Sequence, residues 1–183
     1  MSNVLKIKRF VIPDVVVSHF HINSCDTVVD IGAGNGYFLD TLVSAVGENG
    51  VVYACEIQKN LVDSIATQSQ NYTDGVIKPV WGDVETLNGT KIPDQIADRV
   101  IMVNTLFMLQ DKETAMSEIK RILQVGGKVF VIDWTEPADG LGPPQDMVVD
   151  EQTAISIFES NGFILENDYP AGDYHYGLSF RLV

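Results

Sequence analysis

Between Thr27 and Asp133, five short apolar runs alternate with longer amphipathic segments, and this order constrains the fold more than any other feature of the chain. The runs are Thr27–Ile31, Val51–Glu56, Ile77–Trp81, 99–103 and 128–133. Strands that follow one another in parallel need long crossover connections, usually helices, and a strand covered on both faces reads as nearly continuous apolar sequence. The segments 36–46, Lys59–Ser69 and 112–123 suit those crossovers. Phe38, Leu39, Leu42, Val43 and Val46 share one side of the first, and Ala115, Ile119, Ile122 and Leu123 share one side of the third. "GENG" is predicted to end the first helix, and Gly126 with Gly127 the third.

Past the fifth run the composition changes. "TEPADGLGPPQD" is rich in glycine, proline and acids, which predicts a surface loop over 134–149 and a candidate lid. A helix over 150–160 follows. "GFILENDYPAGDYHYGLSFRLV" then alternates as two strands about a turn at 170–173, an antiparallel hairpin. With a short helical lead-in at 13–20, inside residues 1–25, the whole of 1–183 reads as one α/β domain. The expected architecture is a Rossmann-like, doubly wound three-layer sandwich with a mostly parallel seven-stranded sheet. A chain of 183 residues suits one core better than two.

Twelve Lys and Arg against 25 Asp and Glu leave a net charge of −13, which opposes the approach of a polyphosphate. Lys6, Lys8, Arg9, Lys112, Lys120, Arg121 and Lys128 form no stripe, so nucleic acid is a disfavoured partner and a small-molecule acceptor is favoured. No run approaches the ~18 apolar residues of a membrane span. Pro13 and Asp14 interrupt the apolar part of "MSNVLKIKRFVIPDVVV" and no small-residue cleavage site follows, so it is not read as a signal peptide. Cys25 and Cys55 are expected as two reduced thiols. The resulting expectation is a cytoplasmic protein, monomeric or homodimeric.

In open parallel sheets, ligands sit beyond the carboxyl ends of the strands, commonly over the first strand-to-helix turn. Here that turn is "DIGAGNG", with Gly32, Gly34 and Gly36. The dinucleotide fingerprint needs G-x-G-x-x-G, and Tyr37 stands where its third glycine would be; no Gly-Lys-Ser/Thr follows, which excludes a P-loop. Asp30, just before the first glycine, repels phosphate and attracts an ammonium group. Glu56 ends the second strand, where a carboxylate can accept ribose hydroxyls. Asp83 follows the third, where it can accept from an adenine amino group or, alternatively, cap a helix. Amino acid, ribose and adenine at three neighbouring strand ends compose S-adenosylmethionine.

In "VVDIGAGNG", "VYACEIQ", "WGDVETL", "RVIMVNTLFML" and "RILQVGGKVFVID" the chain resembles the class I S-adenosylmethionine-dependent methyltransferases, in particular their small-molecule ubiquinone/menaquinone type, over roughly residues 26–127. The resemblance implies that Gly32, Gly34 and Gly36 with Asp30 hold the methionine part and Glu56 the ribose. It implies Ile57 as an adenine wall, Asp83 and Val84 at the adenine edge, and the Asn104 backbone facing the methionine amino group. Where nucleic-acid amino-methyltransferases carry Asn/Asp-Pro-Pro-Tyr/Phe, this chain has "NTLF", which puts that substrate class in doubt. The short stretch before the first strand implies few substrate-covering helices.

Methyl transfer by in-line displacement requires positioning before anything else, and a base only if the acceptor must lose a proton. Asp133, Glu136 and His175 are the candidates near the later strand ends. Trp134, Glu136 and "GLGPP" either line an acceptor pocket or turn the chain; Tyr174 and Tyr176 beside His175 also suit a strand. His19 and His21 form an H-x-H without a carboxylate or cysteine at ligand spacing, so no metal site is assigned. Met102, Met108 and Met116 are expected as core filler. A cofactor-binding module without catalysis, or a subunit of a larger assembly, is the alternative function.

Overall fold

The computed structural model describes residues 10–73, 75–137 and 142–183. Residues 1–9 of the lead-in and 138–141 of the 134–149 loop, the candidate lid, lie outside them. The strands are β1 (Thr27–Ile31), β2 (Val51–Glu56), β3 (Ile77–Trp81), β4 (Ala97–Val103), β5 (Leu123–Trp134), β6 (Phe163–Pro170) and β7 (His175–Leu182). The helices are α1 (Pro13–Val16), α2 (Leu39–Val46), α3 (Lys59–Ser69), α4 (Lys112–Ile122) and α5 (Glu151–Ser160). Their strands form one sheet in the order β3-β2-β1-β4-β5-β7-β6. β1 to β5 run parallel, and β7 pairs antiparallel with both β5 and β6.

Alternate residues of the central strands feed two cores, which explains why their sequences are apolar throughout. Val100, Met102, Val129 and Val131 face Ile119 and Ile122 of α4 and Phe158 of α5. Ile101, Phe130 and Ile132 face Phe20 of the lead-in, Leu42 of α2 and Ile65 of α3. These are the two outer layers of the sandwich. The lead-in is tied down by Arg99, which donates to the Phe20 and His21 carbonyls at 3.2 and 2.9 Å and lies 3.6 Å from Asp26.

Two predicted boundaries are corrected. α2 begins at Leu39 and not at residue 36, because Gly36 has φ +84°, outside helical backbone. α4 ends at Ile122, where Leu123 turns extended and enters β5 directly. Gly126 and Gly127 therefore do not end the helix: they lie in β5, where the pairing with β4 shifts register between Ala97↔Leu123 and Arg99↔Lys128. A Cβ on Gly127 would come within 2.8 Å of the Ala97 carbonyl.

Candidate functional site

The parallel strands β1, β2, β3 and β4 deliver their carboxyl ends to one cavity of about 440 Å³, a size suited to a small ligand. Beyond β1, the chain adopts positive φ at Gly32, Gly34 and Gly36 in alternation. This folds the loop back over β2. The N–H groups of Gly32 and Ala33 donate to the Cys55 carbonyl at 2.9 and 3.1 Å, and that of Gly34 donates to Glu56 Oε2 at 3.0 Å. Glu56 Oε1 accepts from Gln58 N–H at 2.9 Å. Each oxygen keeps a further lone pair for a ligand hydroxyl.

Asp30 is 3% exposed. Burial, with the Glu56 charge adding to it, pushes its carboxyl up to about 7. An ammonium group in the cavity would reverse that cost by favouring the ionised form. Asp83 accepts from Glu85 N–H and Thr86 Oγ1, each at 2.9 Å, so it caps a turn and no helix follows it. Glu85 in turn accepts from the N–H groups of Gln110 and Asp111 across the cavity, linking the segment after β3 to the start of α4.

Asp30, Gly32, Gly34, Glu56, Ile57, Asp83, Val84 and Asn104 all line the cavity. Gly36 lies behind it, where a Cβ would strike Leu39 Cδ1 at 2.7 Å. Asn104 has φ +54°, and its side-chain oxygen is buried without a hydrogen-bond partner among the described residues. At Gly34 an added Cβ would find no protein atom closer than 4.0 Å. An open cradle, an orphaned acceptor, two buried carboxylates and apolar walls from Ile57 and Val84 fit a ligand with ammonium, hydroxyl and aromatic parts. Among the described lining residues are four carboxylates, Asp30, Glu56, Asp83 and Glu85, and no Lys, Arg or His.

Thr105, Tyr37, Phe38, Met108 and Leu109 also line the cavity and were not singled out by sequence reasoning as site residues. Met108 corrects the core-filler expectation: it is 49% exposed in the 3₁₀ turn Leu106–Met108, whereas Met102 and Met116 are fully buried. The left-handed turn at Asn104 breaks the strand just before it.

The base candidates lie apart from this cavity. Asp133 is fully buried and accepts from the N–H groups of Trp134 and Phe107 at 2.8 and 3.2 Å. Burial pushes it up to about 6, against the lowering effect of those N–H groups. His175 pairs with Trp134 across β5 and β7, with ring centroids 4.2 Å apart. Both its nitrogens are buried without a hydrogen-bond partner among the described residues, and burial lowers it to about 4. Glu136 is exposed in the loop after β5. Trp134 packs with Tyr174 and Phe107, and Phe10 stacks on Tyr174 at 5.4 Å. His19 stacks on Tyr169, and His21 is exposed with φ +47°. Among the described residues no cluster of His, Cys, Asp and Glu could hold a metal ion, and no helix is long and apolar enough to cross a membrane.

A seven-stranded sheet with this order and a glycine loop flanked by strand-end acids define a class I S-adenosylmethionine-dependent methyltransferase. The chain belongs to the methyltransferase domain family, whose pattern matches residues 29–131. It is 29% identical over 121 residues to the ubiquinone/menaquinone biosynthesis C-methyltransferase UbiE of Bordetella avium, covering 65% of this chain and 45% of that one. It is 27% identical over 117 residues to the 2-phytyl-1,4-naphtoquinone methyltransferase of Nostoc punctiforme, covering 63% and 50%. The chain thus spans about half the length of these curated relatives. Among solved structures, a SAM-dependent methyltransferase from Aquifex aeolicus superposes with a TM-score of 0.86 at 25% identity, over 95% of this chain and 91% of that one. The fold is shared at 12% identity by the geranyl diphosphate C-methyltransferase of Streptomyces coelicolor, solved with S-adenosyl-L-homocysteine, with a TM-score of 0.76 over 93% and 78% of the two chains.

Proposed function

We propose that this chain transfers a methyl group from S-adenosylmethionine to a small organic acceptor. The observation that carries the reading is the convergence of Asp30, Glu56 and the open Gly34 loop on one cavity. When bound, the cofactor supplies a methyl group made electrophilic by its sulfonium. Asp30 and the Asn104 side-chain oxygen would receive its ammonium group, and Glu56 its ribose hydroxyls. Ile57 and Val84 would flank the adenine, with Asp83 at its edge; Gly36 shapes the loop from behind.

In-line displacement draws most of its acceleration from holding an acceptor atom about 3 Å from the methyl carbon on the side opposite sulfur. Tyr37, exposed at 63%, and Met108, at 49%, are exposed lining residues to which the cofactor reading gives no contact, so an acceptor can enter beside them. An acceptor that reacts without losing a proton first needs no base. For one that does, Asp133, Glu136 and His175 remain the residues to test. The absence of an imidazole or amine among the described lining residues favours a second reading, a binding module without catalysis.

Isothermal titration with S-adenosylmethionine tests the proposal. The wild-type chain is expected to bind and Glu56→Ala to bind at least about tenfold more weakly, since a buried charged acceptor is lost. Equal binding by the two, or none by the wild type, would contradict it. S-adenosylhomocysteine copurifying with the chain would count against the non-catalytic reading.

A further inference from the structure

We propose that Thr105 is a positioning residue for the amino-acid end of the cofactor, acting from beneath the glycine loop; this inference rests on the cofactor reading above. Thr105 is 5% exposed and sits just past β4. Its hydroxyl lies 3.1 Å from both the Ile31 and the Val103 carbonyl oxygens, so one proton serves the ends of two neighbouring strands. A Cβ built on Gly32 would lie 2.5 Å from Thr105 Oγ1 and 3.0 Å from its Cγ2. The Thr105 side chain therefore fills the space that any side chain at position 32 would need. Gly32 is held at φ +74° from two sides, by Thr105 below and by the Cys55 carbonyl, which accepts its N–H.

The preceding residue completes the device. Asn104 is turned left-handed, with its N–H donating to the Ile132 carbonyl at 2.8 Å, and it lines the cavity together with Thr105. The same two-residue step thus presents an unpartnered acceptor and sets the height of the glycine loop. Loop and acceptor must agree in position for an amino-acid group to meet both. The proposed ribose and adenine contacts come from β2 and the segment after β3, whereas the Thr105 hydroxyl bonds to the Ile31 and Val103 carbonyls of β1 and β4. Its loss should accordingly weaken ligands that carry the amino-acid part and spare those that lack it.

Thr105→Val keeps the approximate shape, removes the hydroxyl and leaves two strand-end carbonyls without that donor. The experiment measures affinities of wild type, Thr105→Val and Thr105→Ser for S-adenosylhomocysteine and for methylthioadenosine, which lacks the amino-acid portion. The expected result for Thr105→Val is about a tenfold loss for S-adenosylhomocysteine with methylthioadenosine changed by less than about twofold, and near wild-type values for Thr105→Ser. Thr105→Ala carries the same comparison if the valine variant does not fold. Unchanged S-adenosylhomocysteine affinity in the variants, equal loss of both ligands, or failure of all three variants to fold would overturn the inference. A wild-type chain that binds neither ligand would remove the cofactor reading and this inference with it.

Discussion

Asp30 is buried beside a second carboxylate, a cost that an ammonium group at the proposed cofactor site would relieve. Its folded value, raised to about 7 from an ordinary 3.8, means that the native state holds more protons than the unfolded state between those values. Its contribution to stability therefore falls as pH rises through that window and is level above it. Asp30→Asn is expected to raise the midpoint of thermal unfolding at pH 8 while weakening S-adenosylmethionine binding at least about tenfold. Calorimetry near pH 6.5 in two buffers of different ionisation enthalpy should detect proton release on binding by the wild type and none by the variant. Two of the three loop glycines should also separate. Gly34→Ala is expected to cost about 1–2 kcal/mol in chemical denaturation from its left-handed backbone alone, and Gly32→Ala more, because its new Cβ also meets Thr105. Equal costs would contradict that difference. The glycines and Asp30 could be read locally, because one strand-to-helix turn carries them all. Thr105 could not: its contact with Gly32 arises only because β4 lies beside β1, with Ile31 opposite Met102.

The connection between β3 and β4 depends on a charge buried in α4. Glu118 is fully buried and accepts from the N–H groups of Asn88 and Thr90, from Thr90 Oγ1 at 2.5 Å, and from Arg121. Burial opposes its ionisation, but Arg121 and Thr90 outweigh burial and hold the carboxyl at about 2. That contribution is present above pH 4.5 and is lost as pH falls toward 2. Glu118→Ala leaves the Asn88 and Thr90 N–H groups without their acceptor and Arg121 with only Asp94 and Thr90, so a loss of about 3–5 kcal/mol in chemical denaturation is expected; a loss below about 1 kcal/mol would contradict the role. The sequence did not single out Glu118, because nothing local reveals that residues 88–90 come to cover it. Strands β1, β2 and β3, by contrast, were legible to the residue: each is a short, mainly apolar run that leads into an acid at Asp30, Glu56 or Asp83. The end of α4 was not, since glycines that punctuate helices can also sit in a strand where its pairing shifts.

The net charge of −13 and four carboxylates lining a cavity without a basic residue among those described make a field that favours positive ligands. S-adenosylmethionine carries one more positive charge than S-adenosylhomocysteine. Raising salt from about 0.02 to 0.5 M should therefore weaken the former several-fold more than the latter in titration, as screening shortens the field's reach. Equal salt responses would contradict this. The succession of strands along the chain, the acids at their ends and the terminal hairpin were readable from the apolar runs and the residues that close them. The surroundings of an acceptor were not, because Trp134, Tyr174 and Phe10 meet only in the folded chain, and Tyr37 and Met108 reach the cavity through turns. The most direct test of the central claim is a crystal structure with S-adenosylhomocysteine. Its amino-acid end is expected against Asp30, Gly34 and Asn104, its ribose on Glu56 and its adenine between Ile57 and Val84. A ligand bound elsewhere, or with its ribose away from Glu56, would contradict it.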